Sequence, residues 1–208
     1  MRIPDFRLFL ITDRKYFSAT CHMYMALETI LEAGVRAVQL REKDLSQKEL
    51  LDMAIWMREL TNEYGAFLFI NDRVDVALSV RADGVHLGNE SLPVSAARKI
   101  SGGGLLVGVS AHSAEQAFEA ERDGADYVTV GPIYETTSKP MSGCPLGIDA
   151  LHAIRRKVRI PVYGIGGIRL HNAREVREAG ADGVALISGI LGAGRLKETT
   201  EEFLRLVQ

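Results

Sequence analysis

One short unit recurs along the chain and limits its fold more than any other feature: a helical stretch ends at glycine and passes at once into an apolar, β-branched run. It stands as Glu32-Ala-Gly-Val-Arg-Ala-Val-Gln-Leu40, Asp123-Gly-Ala-Asp-Tyr-Val-Thr-Val130 and Glu178-Ala-Gly-Ala-Asp-Gly-Val-Ala-Leu-Ile187, with a looser copy at Arg81-Ala-Asp-Gly-Val-His-Leu87. Glycine just past a helix supplies the left-handed residue that stops it. An apolar run without polar alternation is a strand buried on both faces, as in a parallel sheet. Each copy is therefore an αβ junction.

Between the junctions lie helix signals. Ser46-Gln-Lys-Glu49 and Ser113-Ala-Glu-Gln116 have the spacing of a capping box, and Leu50, Ala54 and Met57 share one helical face. Eight apolar runs read as strands, near Leu8–Thr12, Ala37–Leu40, Phe67–Ile70, Gly84–Leu87, Leu106–Val109, Tyr127–Val130, Val162–Ile165 and Val184–Ile187. Eight βα units in about 200 residues is the lower size range of a (β/α)8 barrel. A single TIM-barrel domain over residues 1–208 is the expected architecture, since no Pro/Ser-rich or charged linker divides the chain. A doubly wound open sheet is the alternative.

Composition excludes several classes. With 47% hydrophobic and 25% charged residues, the 208-residue chain has material for a sizeable core and is not a disordered one. Its net charge of −2 leaves no basic excess for nucleic-acid phosphates. No apolar run approaches the roughly 18 residues of a membrane span, and no secretory h-region opens the chain. Cys21 and Cys144 stand far apart, forming neither a CxxC pair nor a disulfide framework, so reduced thiols and a cytoplasmic protein are expected. An oligomer of identical chains is compatible with all of this.

Barrel enzymes work at the C-terminal ends of their strands, so the residues after each apolar run are the informative ones. They are strongly polar: Asp13; Gln39, Arg41 and Lys43; Asn71 and Asp72; Glu90 and Ser91; Ser110 and His112; Thr136, Ser138 and Lys139; Gly166 and Gly167; Ser188. On the second strand, side chains two apart point to the same side, so Gln39, Arg41 and Lys43 form one ladder climbing from the barrel interior to the mouth, two of them cations awaiting an anion. Internal ion pairs with Glu42 or Asp72 are the plainer reading of those cations. The sixth loop, from Gly131 to Gly147, is long for a βα connection and carries hydroxyls and Lys139. Tyr163-Gly-Ile-Gly-Gly-Ile168, with Ser188 and Gly189, has the composition of the phosphate cup found after strands seven and eight. Asp72, Glu90 and Asp13 are candidate ligands for a hard cation, Asp72 the best placed; Asp75 belongs to the following helix. His112 reads equally as a base, a phosphate ligand or a structural group, and His86 as packed inside the barrel.

In this order the rim residues resemble a known family. Gln39-Leu-Arg-Glu-Lys43, Ile70-Asn-Asp72, Gly84-Val-His-Leu-Gly88, Gly108-Val-Ser-Ala-His112, Gly124-Ala-Asp-Tyr127, Gly131-Pro-Ile-Tyr134 with Thr136-x-Ser-Lys139, and Gly164-Ile-Gly-Gly-Ile168 are similar to the motifs of the thiamine-phosphate synthases and the related thiazole tautomerases. The resemblance runs from about Leu8 to Ile190. It implies a TIM barrel that joins hydroxymethylpyrimidine pyrophosphate to thiazole phosphate, releasing pyrophosphate, with Mg2+ as cofactor and small phosphorylated molecules as partners. By the same resemblance, Gln39, Arg41, Lys43, Asn71 and Lys139 hold the pyrimidine and its pyrophosphate, and Asp72 binds Mg2+. Ser110 lies near the pyrimidine, and Thr136, Ser138, Gly167, Ile187 and Ser188 receive the thiazole phosphate. Arg41, Lys43, Ser110 and Lys139 are the expected catalytic set.

Two departures accompany the resemblance. The synthase pattern has Gln-Glu-Asp after the fourth strand, its Asp a second metal ligand; this chain has Asn89-Glu90-Ser91, so Ser91 brings only a neutral oxygen. The tautomerase pattern has a His proton shuttle where this chain has Pro132, and lacks the Asp of Asn71-Asp72. A tautomerase or divergent paralogue, and a non-catalytic phosphate-binding regulator of thiamine metabolism, are the alternatives to a synthase.

Overall fold

The computed structural model describes residues 6–136 and 144–208. Eight parallel strands follow one another around a closed barrel: β1 (Leu8–Ile11), β2 (Ala37–Leu40), β3 (Phe67–Asn71), β4 (Gly84–Leu87), β5 (Leu106–Ala111), β6 (Tyr127–Val130), β7 (Val162–Ile165) and β8 (Gly183–Leu186). Leu8 pairs with Val184 and Leu10 with Leu186, so β1 and β8 close the ring and the open-sheet alternative is excluded. Outside run α1 (Thr20–Glu32), α2 (Gln47–Glu63), α3 (Val74–Ser79), α4 (Val94–Ser101), α5 (Ala114–Arg122), α6 (Gly147–Lys157), α7 (Ala173–Glu178), the four-residue α8 (Ser188–Leu191) and α9 (Leu196–Leu206). Among the described residues, no helix is long and apolar enough to cross a membrane.

The local signals act much as their chemistry requires. Gly34, Gly124 and Gly180 adopt φ of 114°, 95° and 97° after α1, α5 and α7. In the looser copy the left-handed residue is Arg81, at φ 52°, and Gly84 instead opens β4. Ser46 and Glu49 make a complete capping box on α2. At α5 only half of the expected box forms. Ser113 Oγ accepts from the Gln116 N–H, but the Gln116 side chain accepts from the His112 N–H instead of that of Ser113.

The aspartates of the repeated unit knit neighbouring strands together at their N-terminal ends. Asp83 accepts from the Leu68 N–H at 2.8 Å, Asp126 from Val107 at 2.6 Å and Asp182 from Val162 at 2.9 Å. Each also pairs with an arginine, Arg58, Arg98 and Arg155 respectively. These carboxylates satisfy strand-end donors that would otherwise lie half-buried without partners, and they sit at the end of the barrel opposite its mouth.

Aromatic rings fill the lower interior. Phe9, Phe69, Tyr127 and Tyr163 are fully or almost fully buried, with ring centroids 5.1 Å apart for Phe9–Phe69, 5.5 Å for Phe69–Tyr127 and 5.7 Å for Tyr127–Tyr163. Three of them lie in register with glycine on an adjacent strand: Phe69 with Gly84, Tyr127 with Gly108, Tyr163 with Gly183. A Cβ on Gly108 would stand 2.0 Å from Tyr127 Cζ. Large and small residues thus alternate around the ring, closing the barrel with a dry aromatic floor. Above that floor the interior turns polar.

Candidate active site

The polar layer begins directly on the floor. His86 is buried, with Nδ1 3.2 Å from the Tyr127 hydroxyl and Nε2 3.0 Å from Ser110 Oγ and 3.4 Å from Thr129 Oγ1. Burial keeps the Tyr127 phenol protonated far above its ordinary range. His86 therefore packs inside the barrel, as its place in β4 predicts, and both ring nitrogens are engaged.

On the β2–β4 side a hydrogen-bonded chain climbs toward the mouth. Buried Gln39 donates from Nε2 to Asn71 Oδ1 at 2.8 Å, and Asn71 Nδ2 donates to Asp72 Oδ2. The other Asp72 oxygen accepts from Ser91 Oγ and, at 3.3 Å, from the Gly88 N–H, which also donates to Ser91 Oγ at 2.7 Å. Asp72 and Ser91, 19 residues apart in sequence, are thus in direct contact. Asp72 holds φ at 61°, its N–H bonded to the His86 carbonyl at 2.9 Å, and its carboxylate meets Gly88 and Ser91 just past the end of the neighbouring strand β4. Its hydrogen-bond partners among the described residues are neutral donors. Gln39 Oε1 is buried with no partner.

On the opposite side, the ends of β5 to β8 line a cavity that includes Ser110, Thr136, Gly167, Ile187 and Ser188. Gly167, at φ 66°, lies so close to the start of the sixth loop that a Cβ there would be 2.4 Å from the Glu135 carbonyl oxygen and 2.7 Å from Tyr134 Cβ. Only glycine permits that approach. Tyr134 in turn donates to Glu175 of α7 at 2.6 Å, and burial, reinforced by that carboxylate, raises its phenol pKa. Pro132, whose side chain cannot titrate, lines this cavity. His112 lines it too. Its Nδ1–H donates to the Gly131 carbonyl, so a neutral ring presents Nε2 as an acceptor. Nδ1 thus fits the structural reading of this histidine, and Nε2 is the atom that the base or phosphate-ligand reading would use.

Ser110, on β5, stands between these two sides, lining the cavity while bonded to His86 of β4, and it also borders a depression shared with Gly88, Asn89, Ser91 and the α5 residues Gln116 and Glu119. The β5 strand extends to Ala111, farther than its apolar run, and this carries Ser110 inward. Asn71 likewise falls inside β3.

The ladder expected on the second strand is interrupted. β2 ends at Leu40; Gln39 is buried, Arg41 half-buried and Lys43 exposed. The chain turns because buried Glu42 accepts the Arg14 N–H at both oxygens, each at 3.1 Å, while the Arg41 N–H donates to Thr12 Oγ1 at 2.9 Å. Burial raises the Glu42 pKa, opposed by the Thr12 and Arg14 hydrogen bonds. Among the described residues Arg41 and Lys43 form no salt bridge, so neither cation is used up by Glu42 or Asp72.

Among the other acidic candidates, Asp13 accepts from the Lys15 N–H, Asp75 is held by Arg73 at 2.6 Å, and Glu90 is exposed. Ser138 and Lys139 lie outside the described residues. Sequence reasoning passed over Arg169, which lines the β6–β8 cavity and donates to Ser188 Oγ at 2.9 Å. Its signal was available: a cation directly after the Gly164–Ile168 motif at the mouth end of β7.

Comparison with known proteins bears directly on this geometry. The thiamine monophosphate synthase family matches residues 8–190. The thiamine-phosphate synthase of Chloroflexus aurantiacus is 44% identical over 205 residues, covering 99% of this chain and 94% of that relative. That of Clostridium acetobutylicum is 42% identical over 208 residues, covering 100% and 98%. The solved thiamine phosphate pyrophosphorylase from Pyrococcus furiosus superposes with a TM-score of 0.87 at 40% identity, covering 97% of this chain and 95% of that one. The glycine pattern, the hydroxyl-lined cavity and the Gln39-to-Ser91 chain therefore occur in a barrel whose full length these relatives share. The chain belongs to the thiamine monophosphate synthase family and is a transferase of thiamine biosynthesis that forms thiamine phosphate.

Proposed function

We propose that the enzyme binds hydroxymethylpyrimidine pyrophosphate over the β2–β4 side of its mouth and thiazole phosphate over the β6–β8 side, in a Mg2+-dependent reaction. The carrying observation is the division of the mouth: an acid-and-amide chain on one side, a hydroxyl- and glycine-lined cavity on the other, and Ser110 between them. On this reading Arg41, Lys43 and Lys139 face the pyrophosphate, Gln39 and Asn71 the pyrimidine, and Thr136, Ser138, Gly167, Ile187 and Ser188 the thiazole phosphate. A donor such as the pyrimidine amino group would relieve the cost of the buried, unpartnered Gln39 Oε1.

The bond-making electron pair comes from the thiazole ring nitrogen. A C–N bond forms at the pyrimidine methylene carbon, the C–O bond to pyrophosphate breaks, and its pair departs with the anion. The nitrogen carries no proton, so no general base is needed. The protein's tasks are to align two substrates and to stabilise a departing anion with preorganised cations. Arg41 offers a planar fork to phosphate oxygens and Lys43 a compact charge.

The residues around Asp72 suit a hard cation. No Lys or Arg pairs with its carboxylate among the described residues, and Ser91 adds a neutral oxygen beside it. Among those residues no group of three or more His, Cys, Asp or Glu could hold an ion unaided. One carboxylate and a hydroxyl match a Mg2+ site whose shell is completed by substrate oxygens and water. Bound there, Mg2+ would neutralise charge on the leaving pyrophosphate. The cysteine usage supports a cytoplasmic setting.

The test is to mix purified protein with both phosphorylated substrates and Mg2+. Pyrophosphate and thiamine phosphate are expected in equal amounts, and Arg41→Gln should lower kcat by about a hundredfold, the usual loss for one preorganised donor at a developing anion. Isomerisation of a thiazole carboxylate without pyrophosphate release would overturn the assignment, and an Arg41→Gln variant with wild-type kcat would remove Arg41 from the site.

A further inference from the structure

The described wall of the β6–β8 cavity contains no carboxylate and one permanently cationic side chain, Arg169. Its Nη1 donates to Ser188 Oγ at 2.9 Å and to the Ile168 carbonyl at 3.2 Å. Neither bond uses Nε or Nη2, and no salt bridge includes Arg169 among the described residues. Two donors of a planar fork, and a full charge, are therefore uncommitted beside the cavity. Ser188, by accepting from Arg169, keeps its own proton free to donate elsewhere.

We propose that Arg169 determines specificity for the phosphate group of the thiazole substrate. This rests on the placement of thiazole phosphate over the β6–β8 side. A phosphate near neutral pH carries close to two negative charges. Thr136, Ser188 and the Gly166–Gly167 amides can offer donors but no compensating charge. Arg169 supplies that charge, and its bond to Ser188 holds the guanidinium and the serine hydroxyl as one receptor with fixed spacing. Charge-assisted, two-pronged donation of this kind favours a phosphorylated thiazole over the corresponding alcohol.

The test compares Arg169→Gln, Arg169→Lys and Ser188→Ala by steady-state kinetics, varying each substrate in turn. Arg169 is exposed, so truncating its charge does not threaten the fold. For Arg169→Gln the KM for thiazole phosphate should rise by about tenfold or more, the scale of one charge-assisted hydrogen bond. The KM for the pyrimidine pyrophosphate and kcat at saturation should stay near wild type, and Arg169→Lys should recover part of the loss. The preference for thiazole phosphate over its unphosphorylated alcohol should fall by the same factor. A wild-type thiazole KM in Arg169→Gln overturns the proposal. If Ser188→Ala raises that KM while Arg169→Gln does not, the thiazole-side placement survives and only the role of Arg169 falls. If neither variant moves it, both fall.

Discussion

Replacing Gly108 with alanine should destabilise the barrel floor and, through it, the polar layer above. The new Cβ would lie 2.0 Å from Tyr127 Cζ and 2.4 Å from its hydroxyl oxygen. Ordinary carbon contacts are about 3.5–4.0 Å, so the ring must retreat by about 1.5 Å. It has nowhere to go: Tyr127 is fully buried, with Phe9, Phe69 and Tyr163 centroids 5.8, 5.5 and 5.7 Å away. Overpacking of this kind costs about 1–3 kcal/mol. Displacing the tyrosine also strains its contact with His86, a hydrogen bond of about 1 kcal/mol. A total of about 2–4 kcal/mol corresponds to a fall in Tm of about 4–16 °C for a chain of this length. Thermal unfolding measures it, and turnover should drop as well, because His86 holds Ser110. Combining Gly108→Ala with Tyr127→Val should recover at least about 1 kcal/mol relative to the sum of the single changes. A Tm within a degree or two of wild type, or strict additivity in the double variant, would refute the packing argument.

The ion site predicts opposite responses at two neighbouring positions. Asp72→Asn should abolish Mg2+-supported turnover, whereas Ser91→Asp should lower the Mg2+ concentration giving half-maximal activity by adding a second hard ligand. Unchanged metal dependence in both would move the ion elsewhere. Glu42 predicts a pH effect of known sign. Its folded-state pKa is raised, chiefly by burial, above the ordinary 4.5. Its contribution to stability is thus greatest below that value and declines as pH rises through the folded pKa. Denaturant unfolding of wild type and Glu42→Gln across pH 4 to 7 should show wild type losing stability relative to the variant as pH rises; a difference that is flat or of opposite slope would contradict this origin of the shift.

The fold was legible because its information is local and repeated. Glycine stops and apolar runs place every strand to within about two residues, since a parallel strand buried on both faces leaves a continuous hydrophobic signature. Barrel closure follows from counting units. What the runs do not carry is where a strand continues under polar residues: Asn71 and Ser110 belong to β3 and β5 although neither is apolar. The same limit misled the ladder reading in the other direction. Glu42, a charged residue normally solvated, is buried because it caps backbone donors of a distant loop, and it ends the strand at Leu40. The aspartates of the repeat carried a clear sequence signal, but their task of joining adjacent strands appears only when the strands are side by side. Arg169 was visible yet unread, because its significance depends on Ser188, 19 residues later, lying beside it at the cavity.

The left-handed turn at Asp72 has a bearing on which positions of this mouth can drift. Glycine and asparagine adopt such a backbone readily but bring no charge; glutamate brings the charge, on a longer side chain, but not the backbone preference. Aspartate alone meets both demands, so almost any replacement there forfeits one of them. Ser91 bears no comparable burden, for among the described non-glycine residues only Asp72 and Arg81 have positive φ. Of two adjoining oxygen donors, one is therefore pinned by conformation and charge together, and the other, a neutral hydroxyl on ordinary backbone, by neither.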